Sequence, residues 1–549
     1  MTTSRDILIG LLLLGVMCLF GCKKKTEQTL PLPQHSVAEV QQEQQHLPPG
    51  LFEPASSLDA EDAPEEQDNV PPDPGTVKTR FEPLRNPGTP VVLAEQERKR
   101  TGFQPGGDFS LDAVVSMGEL LRKEWPQLPP LDERALRSHA IRVIKGKHLT
   151  LYTDLAAPPE INRLPEIFDL AVTEYCRFFG VDPKYCAAWH MQGCLIDDLE
   201  KFRAAGLLGT FPTHLPGYSV DDRLWVLEQK SDYFRRHLLL HEGVHGFMNF
   251  MFGTCGPVWY MESTAEYLAT HRWENGRLEL GVMPENTDAV PGWRRIELVK
   301  NDVQAGNLKT ADRVMRYSGR QLESPTDYAW VWTFGFLLDR HPQYREVYRD
   351  MARWLTFRDF SNRFYLYVDR AGHWNELQIA WLGLLDELEY GYDVPRMVIK
   401  PPSGKPLTSS EVAFDVDVTG GWQSSGVMLE AGQTCRVTAS GQYRLEAGPQ
   451  VWYAEPNGVT FRYHNGQPLG LLLGAVVPDG LFETDTEISP DNVPFLFPIL
   501  IGQGIELTPE QSGTLYLRIN DSPAELGDNQ GKCKVVIEAN EQFQAGRSR

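Results

Sequence analysis

The segment His241-Glu242-Gly243-Val244-His245 lies within a helix that the apolar spacing predicts over Asp232 to Phe252. Residues four positions apart share one face of a helix, so both imidazoles can reach a single ion. Glu242 lies about 100° further round the helix, where it can act on a metal-bound water without binding the metal. Gly243 costs about 1 kcal/mol relative to Ala in a helix and indicates close packing on its side. The alternative is a helix with two ordinary histidines.

A catalytic zinc needs a third protein ligand and one position left for water. The segment Pro257-Val-Trp259-Tyr-Met-Glu262-Ser-Thr-Ala265-Glu266-Tyr267 offers two carboxylates on one helical face. The two segments together resemble the gluzincin branch of the zincin metallopeptidases (HExxH…E). The resemblance implies that zinc is bound by His241, His245 and Glu262, that Glu242 is the general base, and that Glu266 hydrogen-bonds a histidine ligand. Ser263 replaces the commonest Gly of that family, and exchanged roles for Glu262 and Glu266 remain an alternative.

Other residues are assigned around this centre. His237 lies one turn before His241 and is interpreted as supporting rather than ligating, whereas His271 is expected to pack or to face solvent. The family uses a Tyr or His from a later helix to stabilise the oxyanion, and Tyr328 is the candidate here. An aromatic side chain that only packs is the alternative. By the same resemblance, the predicted strand over residues 223–229 is expected to bind an extended substrate by edge pairing.

The N-terminal residues are typical of an exported protein. Ile7 to Phe20 form an apolar run too short to span a bilayer, and Cys22 follows it, ahead of three lysines. This pattern resembles a bacterial lipobox, which implies a signal peptide over residues 1–22, a lipid anchor on Cys22 and a place in the cell envelope. Residues 23–105 are rich in Pro, Glu and Gln and predict a disordered linker.

The remaining chain divides into two predicted domains. Residues 106–400 predict an α+β, zincin-like peptidase domain, with strand character over 141–151 and helices over 160–179, 328–338 and 374–390. Residues 401–549 contain short alternating runs separated by turn residues, which predict an all-β sandwich of the jelly-roll or galactose-binding type. The fold class is therefore multidomain.

The C-terminal sequence resembles the calcium-dependent galactose-binding lectins of the PA-IL type. The residues that carry this resemblance include Trp422, the run Leu515-Tyr-Leu-Arg-Ile519 and the loop that follows it. It implies that Asp521, Asp528 and Asn529 bind calcium and contact sugar; an ordinary Asp/Asn turn is the alternative. Cys435 and Cys533 are either a disulfide pair or free buried thiols.

Charge and motifs together favour one function class. The 549-residue chain has a formal net charge of −21, which disfavours nucleic acid as a partner. The expected function is zinc-dependent hydrolysis of peptide or protein substrates outside the cytoplasmic membrane, with a possible glycan partner for the C-terminal domain. The alternatives are an inactive cell-surface carbohydrate- or protein-binding protein with a peptidase-like fold, and a zinc hydrolase for a non-peptide substrate.

Overall fold

The computed structural model describes residues 114–116, 118–119, 133–209, 211–318, 322, 324–355, 360–370, 373–401, 404–446, 451–483 and 486–539. They all belong to one compact unit, Val77–Arg549. The predicted signal peptide with Cys22 and the predicted linker over residues 23–105 lie outside the described residues. No described helix is both long and apolar enough to cross a membrane.

The first region of the described chain is mostly helical. Its α-helices are α1 (Glu133–Ser138), α2 (Pro159–Asn162), α3 (Leu164–Phe179), α4 (Leu199–Ala204), α5 (Asp232–Phe252), α6 (Val258–Ala269), α7 (Arg295–Gln304), α8 (Ala311–Met315), α9 (Pro325–Arg340), α10 (Arg345–Asp350), α11 (Phe360–Arg370) and α12 (Trp374–Glu387). Its strands are β1 (Arg142–Lys145), β2 (Leu149–Thr153), β3 (Met191–Ile196), β4 (Gly217–Val220), β5 (Arg223–Leu227), β6 (His271–Glu274) and β7 (Arg277–Leu280).

A five-stranded sheet in the order β1-β2-β3-β5-β4 packs against this helical layer. Strands β2, β3 and β5 run parallel, as expected for strands buried by helices, and their residues are mostly buried. Strand β4 pairs antiparallel with β5 and forms one edge of the sheet. The predicted strand over residues 223–229 is therefore β5, which lies between two neighbours and has no free edge for a substrate; that expectation was wrong.

Helix α5 has the predicted bounds because both of its ends are specified locally. Ser231 caps the first turn by accepting a hydrogen bond from the Phe234 backbone N–H at 3.2 Å. Gly253 ends the helix in the left-handed conformation, with φ of 73°. Most of α5 is buried, including Gly243, where an added Cβ would lie 2.6 Å from Phe168 Cε2 of α3. The expected close packing at this glycine is confirmed.

The other predicted elements are present with shifted bounds. The strand character over 141–151 resolves into β1 and β2, and the helical segments over 328–338 and 374–390 correspond to α9 and α12. The predicted helix over 160–179 is divided into α2 and α3 at Arg163. Pro165 lies in the first turn of α3, where a missing backbone N–H is tolerated, and it therefore favours a new helix start.

The second region contains strands β8 (Lys405–Pro406), β9 (Glu411–Asp417), β10 (Gln423–Leu429), β11 (Cys435–Ser440), β12 (Tyr443–Glu446), β13 (Trp452–Ala454), β14 (Asn457–His464), β15 (Gln467–Val477), β16 (Ile499–Leu500), β17 (Gly504–Leu507), β18 (Gly513–Ile519) and β19 (Lys532–Ala539). One sheet has the order β14-β15-β18-β10-β8, with β16 paired to β15, and a second has the order β17-β11-β19-β9. Their buried side chains form one shared core. The described chain is thus a multidomain α+β protein.

The proposed pairing of Cys435 with Cys533 does not occur. Cys435 of β11 lies opposite Ala539 of β19, and Cys533 lies six residues away along that strand. At about 3.3 Å per residue this offset is about 20 Å, far beyond the reach of a disulfide. Both side chains are buried free thiols, which was the other alternative.

Candidate metal centre

Helices α5 and α6 bring the three predicted zinc ligands to one point. His241 Nε2 lies 3.1 Å from His245 Nε2. Glu262 Oε2 lies 3.2 Å from the first of these nitrogens and 3.4 Å from the second. All three side chains are buried. The sequence spacing thus predicted a convergence that the structure shows.

The spacing of these three atoms fits a tetrahedral metal. Ligand atoms about 2.0–2.2 Å from a tetrahedral zinc lie about 3.3–3.6 Å from one another. Glu262 Oε2 is buried and accepts no hydrogen bond, although it faces two imidazole nitrogens. A buried carboxylate oxygen without a donor is costly, and a cation placed between these atoms would satisfy it. The residues present therefore fit a metal ion such as zinc.

Electrostatics at this point favours positive charge. Burial disfavours the imidazolium form of His241, but Glu262 and Glu266 outweigh burial and raise its pKa well above the usual range. Burial also disfavours the ionised form of Glu262 and so raises the pKa of its carboxyl. The neighbouring His245 and His241 outweigh this effect and lower that pKa to about 2. Positive charge next to the ionised Glu262 carboxylate is therefore favoured, whether an imidazolium or a bound cation supplies it.

A second cluster, formed by His237, His241 and Glu266, adjoins the first. Arg295 of α7 donates two hydrogen bonds to the Glu266 carboxylate, at 2.9 and 3.1 Å. Glu266 also lies 3.3 Å from His241 Nδ1 and 3.3 Å from His237 Nε2. A guanidinium therefore already neutralises this carboxylate, which distinguishes Glu266 from Glu262.

His237 and His271, two further histidines near this centre, make structural contacts. His237 Nδ1 lies 3.0 Å from the Ala269 carbonyl oxygen, so its other nitrogen faces Glu266. His271 is buried and stacks on Tyr233 at 4.4 Å between ring centroids. Burial lowers the pKa of His271 to about 3, so the ring is neutral. His271 packs, which was one of the two expectations for it.

Glu242 lies beside the edge strand β4. A Cβ added at Gly217 would lie 2.7 Å from Glu242 Oε1, so a side chain at this position would displace the carboxylate from where it lies. Burial raises the pKa of Glu242, while His241, His245 and a hydrogen bond from Ser219 oppose the rise. The sequence reasoning missed Gly217 and Ser219, because nothing in a short Gly-Tyr-Ser-Val run indicates a neighbour on a later helix.

Tyr328 lies in the first turn of α9, near the metal ligands. Its ring centroid is 6.2 Å from that of His241, in an edge-to-face arrangement. Burial is the main cause that raises the pKa of its phenol, followed by the charges of Glu262 and Glu266. The phenol therefore keeps its proton and can donate a hydrogen bond. Ser324 and Asp327 form a reciprocal cap that fixes the start of α9 and so the position of Tyr328.

Arg295 is a further residue of this centre that the sequence did not indicate. It lies 29 residues beyond Glu266, at the start of α7, and no local pattern connects the two positions. The preceding Arg294 adopts a left-handed conformation with φ of 54°, which turns the chain into this helix. A buried arginine is rarely unpaired, but its burial is not visible in the sequence.

The predicted calcium residues lie at the end of β18 and in the following loop. Asn529 Nδ2 donates a hydrogen bond to Asp521 Oδ2 at 2.8 Å, and both residues are buried. Burial raises the pKa of Asp521 to about 6, although Asn529 and the Ser522 backbone N–H lower it. Asp528 is partly exposed. The described His, Cys, Asp and Glu side chains form candidate metal clusters only at α5 and α6, so calcium here stays a prediction.

Comparisons with known proteins add little to this picture. No protein-family model matches the chain, and no curated protein matches it. Among solved structures, a chain described as "EclA N-terminal domain; PllA-like lectin" is 20% identical, with a TM-score of 0.18. The match covers 24% of this chain and 98% of that one. A likeness this weak supports no conclusion about fold or ligand.

Proposed function

We propose that this chain is a zinc-dependent hydrolase that cleaves peptide bonds. The observation that carries the proposal is the convergence of His241, His245 and Glu262 within 3.1–3.4 Å of one another, beside the buried Glu242. Two imidazoles and one carboxylate form a ligand set of catalytic zinc sites, which leave one position for water. The inactive-protein alternative leaves Glu242 without a role at this position.

The residues around the centre have distinct roles in the proposed reaction. Bound zinc supplies Lewis-acid activation of a water molecule and of the substrate carbonyl. Glu242 accepts the proton of the attacking water and passes it to the leaving amine. Tyr328 donates its phenolic hydrogen to the oxyanion that develops on the scissile carbonyl. Glu266, held by Arg295, keeps the proton of His241 on Nδ1, so that Nε2 faces the metal.

The edge strand β4, and not β5, is the proposed binding place for the substrate backbone. Among the described strands, β4 has a neighbour on one side only, and its Gly217 approaches Glu242. An extended peptide can therefore add to the free edge by main-chain hydrogen bonds and lie across the catalytic carboxylate. This placement supports a peptide substrate rather than a compact small molecule.

The same proposal includes the fold families, the cellular location and the calcium site that the sequence predicts. We place the helical region among zincin-like folds of the gluzincin type and the C-terminal sheets among lectin-like β-sandwiches. The enzyme would be exported, lipid-anchored through Cys22 and active in the cell envelope, with calcium as a further ligand of Asp521, Asp528 and Asn529. The two C-terminal sheets share one buried core, which supports a β-sandwich for this region.

Zinc content and peptide hydrolysis test the proposal together. The full-length protein is expected to contain one zinc per chain and to cleave a quenched fluorescent peptide library. Glu242→Gln should keep the zinc and lose turnover, whereas His245→Ala should lose both. If the zinc-loaded wild-type protein cleaves no peptide but hydrolyses another class of substrate, the peptide specificity is wrong and only the zinc hydrolase part of the proposal stands. Full hydrolysis by zinc-loaded Glu242→Gln would remove the general-base role.

A further inference from the structure

A cavity of about 530 Å³ lies between the end of α12 and the C-terminal sheets, and the metal centre does not use it. Pockets for small ligands usually measure about 300–1,000 Å³. We call this cavity the junction pocket. The residues that matter for its chemistry are Asp386, Asn465, Gln467, Phe495, Phe497 and Leu500. Because both regions line it, the pocket exists only when they are packed together.

The floor of the junction pocket is fixed by a buried ion pair. Arg518 of β18 donates to both carboxylate oxygens of Glu387, at 2.6 and 3.1 Å, and its guanidinium lies 5.6 Å from the Trp422 ring centroid. Arg518 also donates to the Asp521 carbonyl oxygen at 3.0 Å. Glu387 thus neutralises the charge of Arg518 within the fold. Arg518 is therefore not free to pair with an anionic ligand in the pocket.

Three lining polar side chains remain available to a ligand. Asp386, Asn465 and Gln467 have no side-chain hydrogen bond or ion pair within the described part of the chain. The amides each supply donors and acceptors, and the carboxylate supplies acceptors. Such a set matches hydroxyl groups, which both donate and accept.

Two apolar side chains complete the mouth of the pocket. Phe497 is 63% exposed and Leu500 is 46% exposed, so both present apolar surface at the opening of the pocket. An exposed aromatic ring binds the flat C–H face of a pyranose, because that face is apolar while its edges carry hydroxyl groups. Aromatic and polar groups therefore face the same cavity from its rim.

We propose that the junction pocket binds a neutral saccharide unit without calcium. The two amides both donate and accept, which matches hydroxyl groups, whereas an ammonium ion only donates and would leave the amide N–H groups without an acceptor. The lining does not include Asp521, Asp528 or Asn529, the residues predicted to bind calcium. The pocket would hold a glycan at the junction with the proposed catalytic region, and so would bring a glycan-bearing substrate or surface to the enzyme.

Calorimetric titration of the full-length protein tests this proposal. The probes are lactose, maltose, cellobiose and chitobiose, at millimolar concentrations and with EDTA present, in a detergent that has no sugar headgroup. We expect at least one disaccharide to bind with EDTA present. Binding that appears only with added calcium would assign the sugar to the Asp521 loop, and failure of all four would overturn the proposal. Binding of lysine amide in their place would also overturn it, in favour of a cation site.

Variants locate the sugar that binds. Phe497→Ala and Asp386→Ala should each lose detectable binding, whereas Tyr367→Ala removes an equally exposed aromatic side chain of α11 and should bind normally. Unchanged binding by both pocket variants would refute the assignment. Glu242→Gln should bind sugar as the wild type does, so this result is independent of the peptidase proposal.

A separate observation concerns two cysteines. Cys176 Sγ, in the last turn of α3, lies 2.9 Å from Cys186 Sγ, at the end of a 3₁₀ helix over Pro183–Cys186. Both side chains are buried, and the chain between them turns at Gly180 with φ of 67°. No other pair of described cysteines is recorded in contact.

We infer that Cys176 and Cys186 form a structural disulfide when the chain folds in an oxidising compartment, such as the proposed cell envelope. Each thiol loses its proton, the S–S bond forms, and two electrons pass to the disulfide of an oxidised thiol such as glutathione disulfide, which becomes two thiols. The reaction takes place during folding, because both sulfurs are buried afterwards.

Refolding of the full-length protein with and without glutathione disulfide tests the inference. Alkylation in denaturant followed by peptide mass analysis should show Cys176 and Cys186 protected and joined, with Cys194 alkylated in both samples. Reductant should lower the Tm of the oxidised wild type but leave the Cys176→Ser, Cys186→Ser double variant unchanged. Complete alkylation of both cysteines after oxidative refolding would overturn the inference.

Discussion

Substitution of Gly243 by alanine tests whether close contact with α3 constrains α5, the helix that contains His241 and His245. An alanine Cβ at this position would lie 2.6 Å from Phe168 Cε2 and 3.1 Å from the Tyr175 hydroxyl oxygen, both on α3. Both side chains are fully buried, and Tyr175 donates a hydrogen bond to the Leu240 carbonyl oxygen at 2.9 Å. Neither ring can move aside within the core, so α5 itself must shift.

One favourable and two unfavourable contributions set the size of the change in unfolding free energy. Alanine is favoured over glycine in a helix by about 0.8–1.0 kcal/mol. Overpacking a rigid core costs about 1–3 kcal/mol. Weakening of the Tyr175 hydrogen bond costs up to about 1 kcal/mol more. We therefore expect Gly243→Ala to lower the free energy of unfolding by about 1–2 kcal/mol, despite its better helix propensity.

Gly246, one turn further along α5, provides the matched control. A Cβ there meets the Sδ and Cε atoms of Met191, which form the free end of a flexible side chain. Methionine adapts to such changes by rotating, so the helix-propensity gain is largely kept. Gly246→Ala is expected to be as stable as the wild type or up to about 1 kcal/mol more stable.

Urea unfolding of the zinc-free, full-length proteins measures both variants. A multidomain chain can unfold in more than one step, so the comparison uses the transition whose midpoint rises when zinc is added. The reasoning is supported if Gly243→Ala has a lower free energy of unfolding than the wild type and Gly246→Ala has an equal or higher one. If Gly243→Ala were as stable as Gly246→Ala, contact with Phe168 and Tyr175 would not constrain the helix.

Three further predictions address the centre and the C-terminal loop. Arg295→Met should weaken zinc binding about 10–100-fold in a chelator competition assay, because Glu266 loses the cation that holds it; unchanged affinity would contradict this. Tyr328→Phe should keep zinc and lower kcat about 10²–10³-fold with little change in KM, and full activity would exclude the oxyanion role. Asp521 has a pKa of about 6 against 3.8 in a free chain, so the calcium-free fold loses stability as pH rises from about 4 to 6. Asp521→Asn should therefore stabilise that form at pH 7 by about 2 kcal/mol in thermal unfolding, after allowance for one lost hydrogen bond, and calcium should stabilise only the wild type.

The parts of the site that sequence predicted are those set by local geometry. His241 and His245 share a face because a helix repeats every 3.6 residues, and Ser231 and Gly253 define the ends of that helix. Glu262 followed from the next helix and from the resemblance of its sequence to a family motif. The ligand triad therefore required only two adjacent helices to be identified correctly.

The parts that sequence did not predict depend on contacts between distant segments. Strand β5 was expected to offer a free edge, but β4 folds back and covers it, which no alternation of apolar residues within β5 indicates. The strand register likewise separates Cys435 from Cys533, although β11 and β19 are neighbours in one sheet. Register and strand order arise from pairing between segments, and a single strand contains little information about either.

The sequence left the roles of Glu262 and Glu266 exchangeable, and the charge balance of the buried centre decides between them. Glu242, Glu262 and Glu266 are three buried carboxylates, and Arg295 is the guanidinium paired with one of them. If all three are ionised and the imidazoles are neutral, the centre has a net charge of −2, which is unfavourable away from water. Since Arg295 neutralises Glu266 directly, the excess negative charge lies at Glu262 and Glu242, on the side where both Nε2 atoms converge. A divalent cation at that position would remove the excess, so the charge balance supports the proposal that Glu262 binds the metal and that Glu266 orients a histidine ligand.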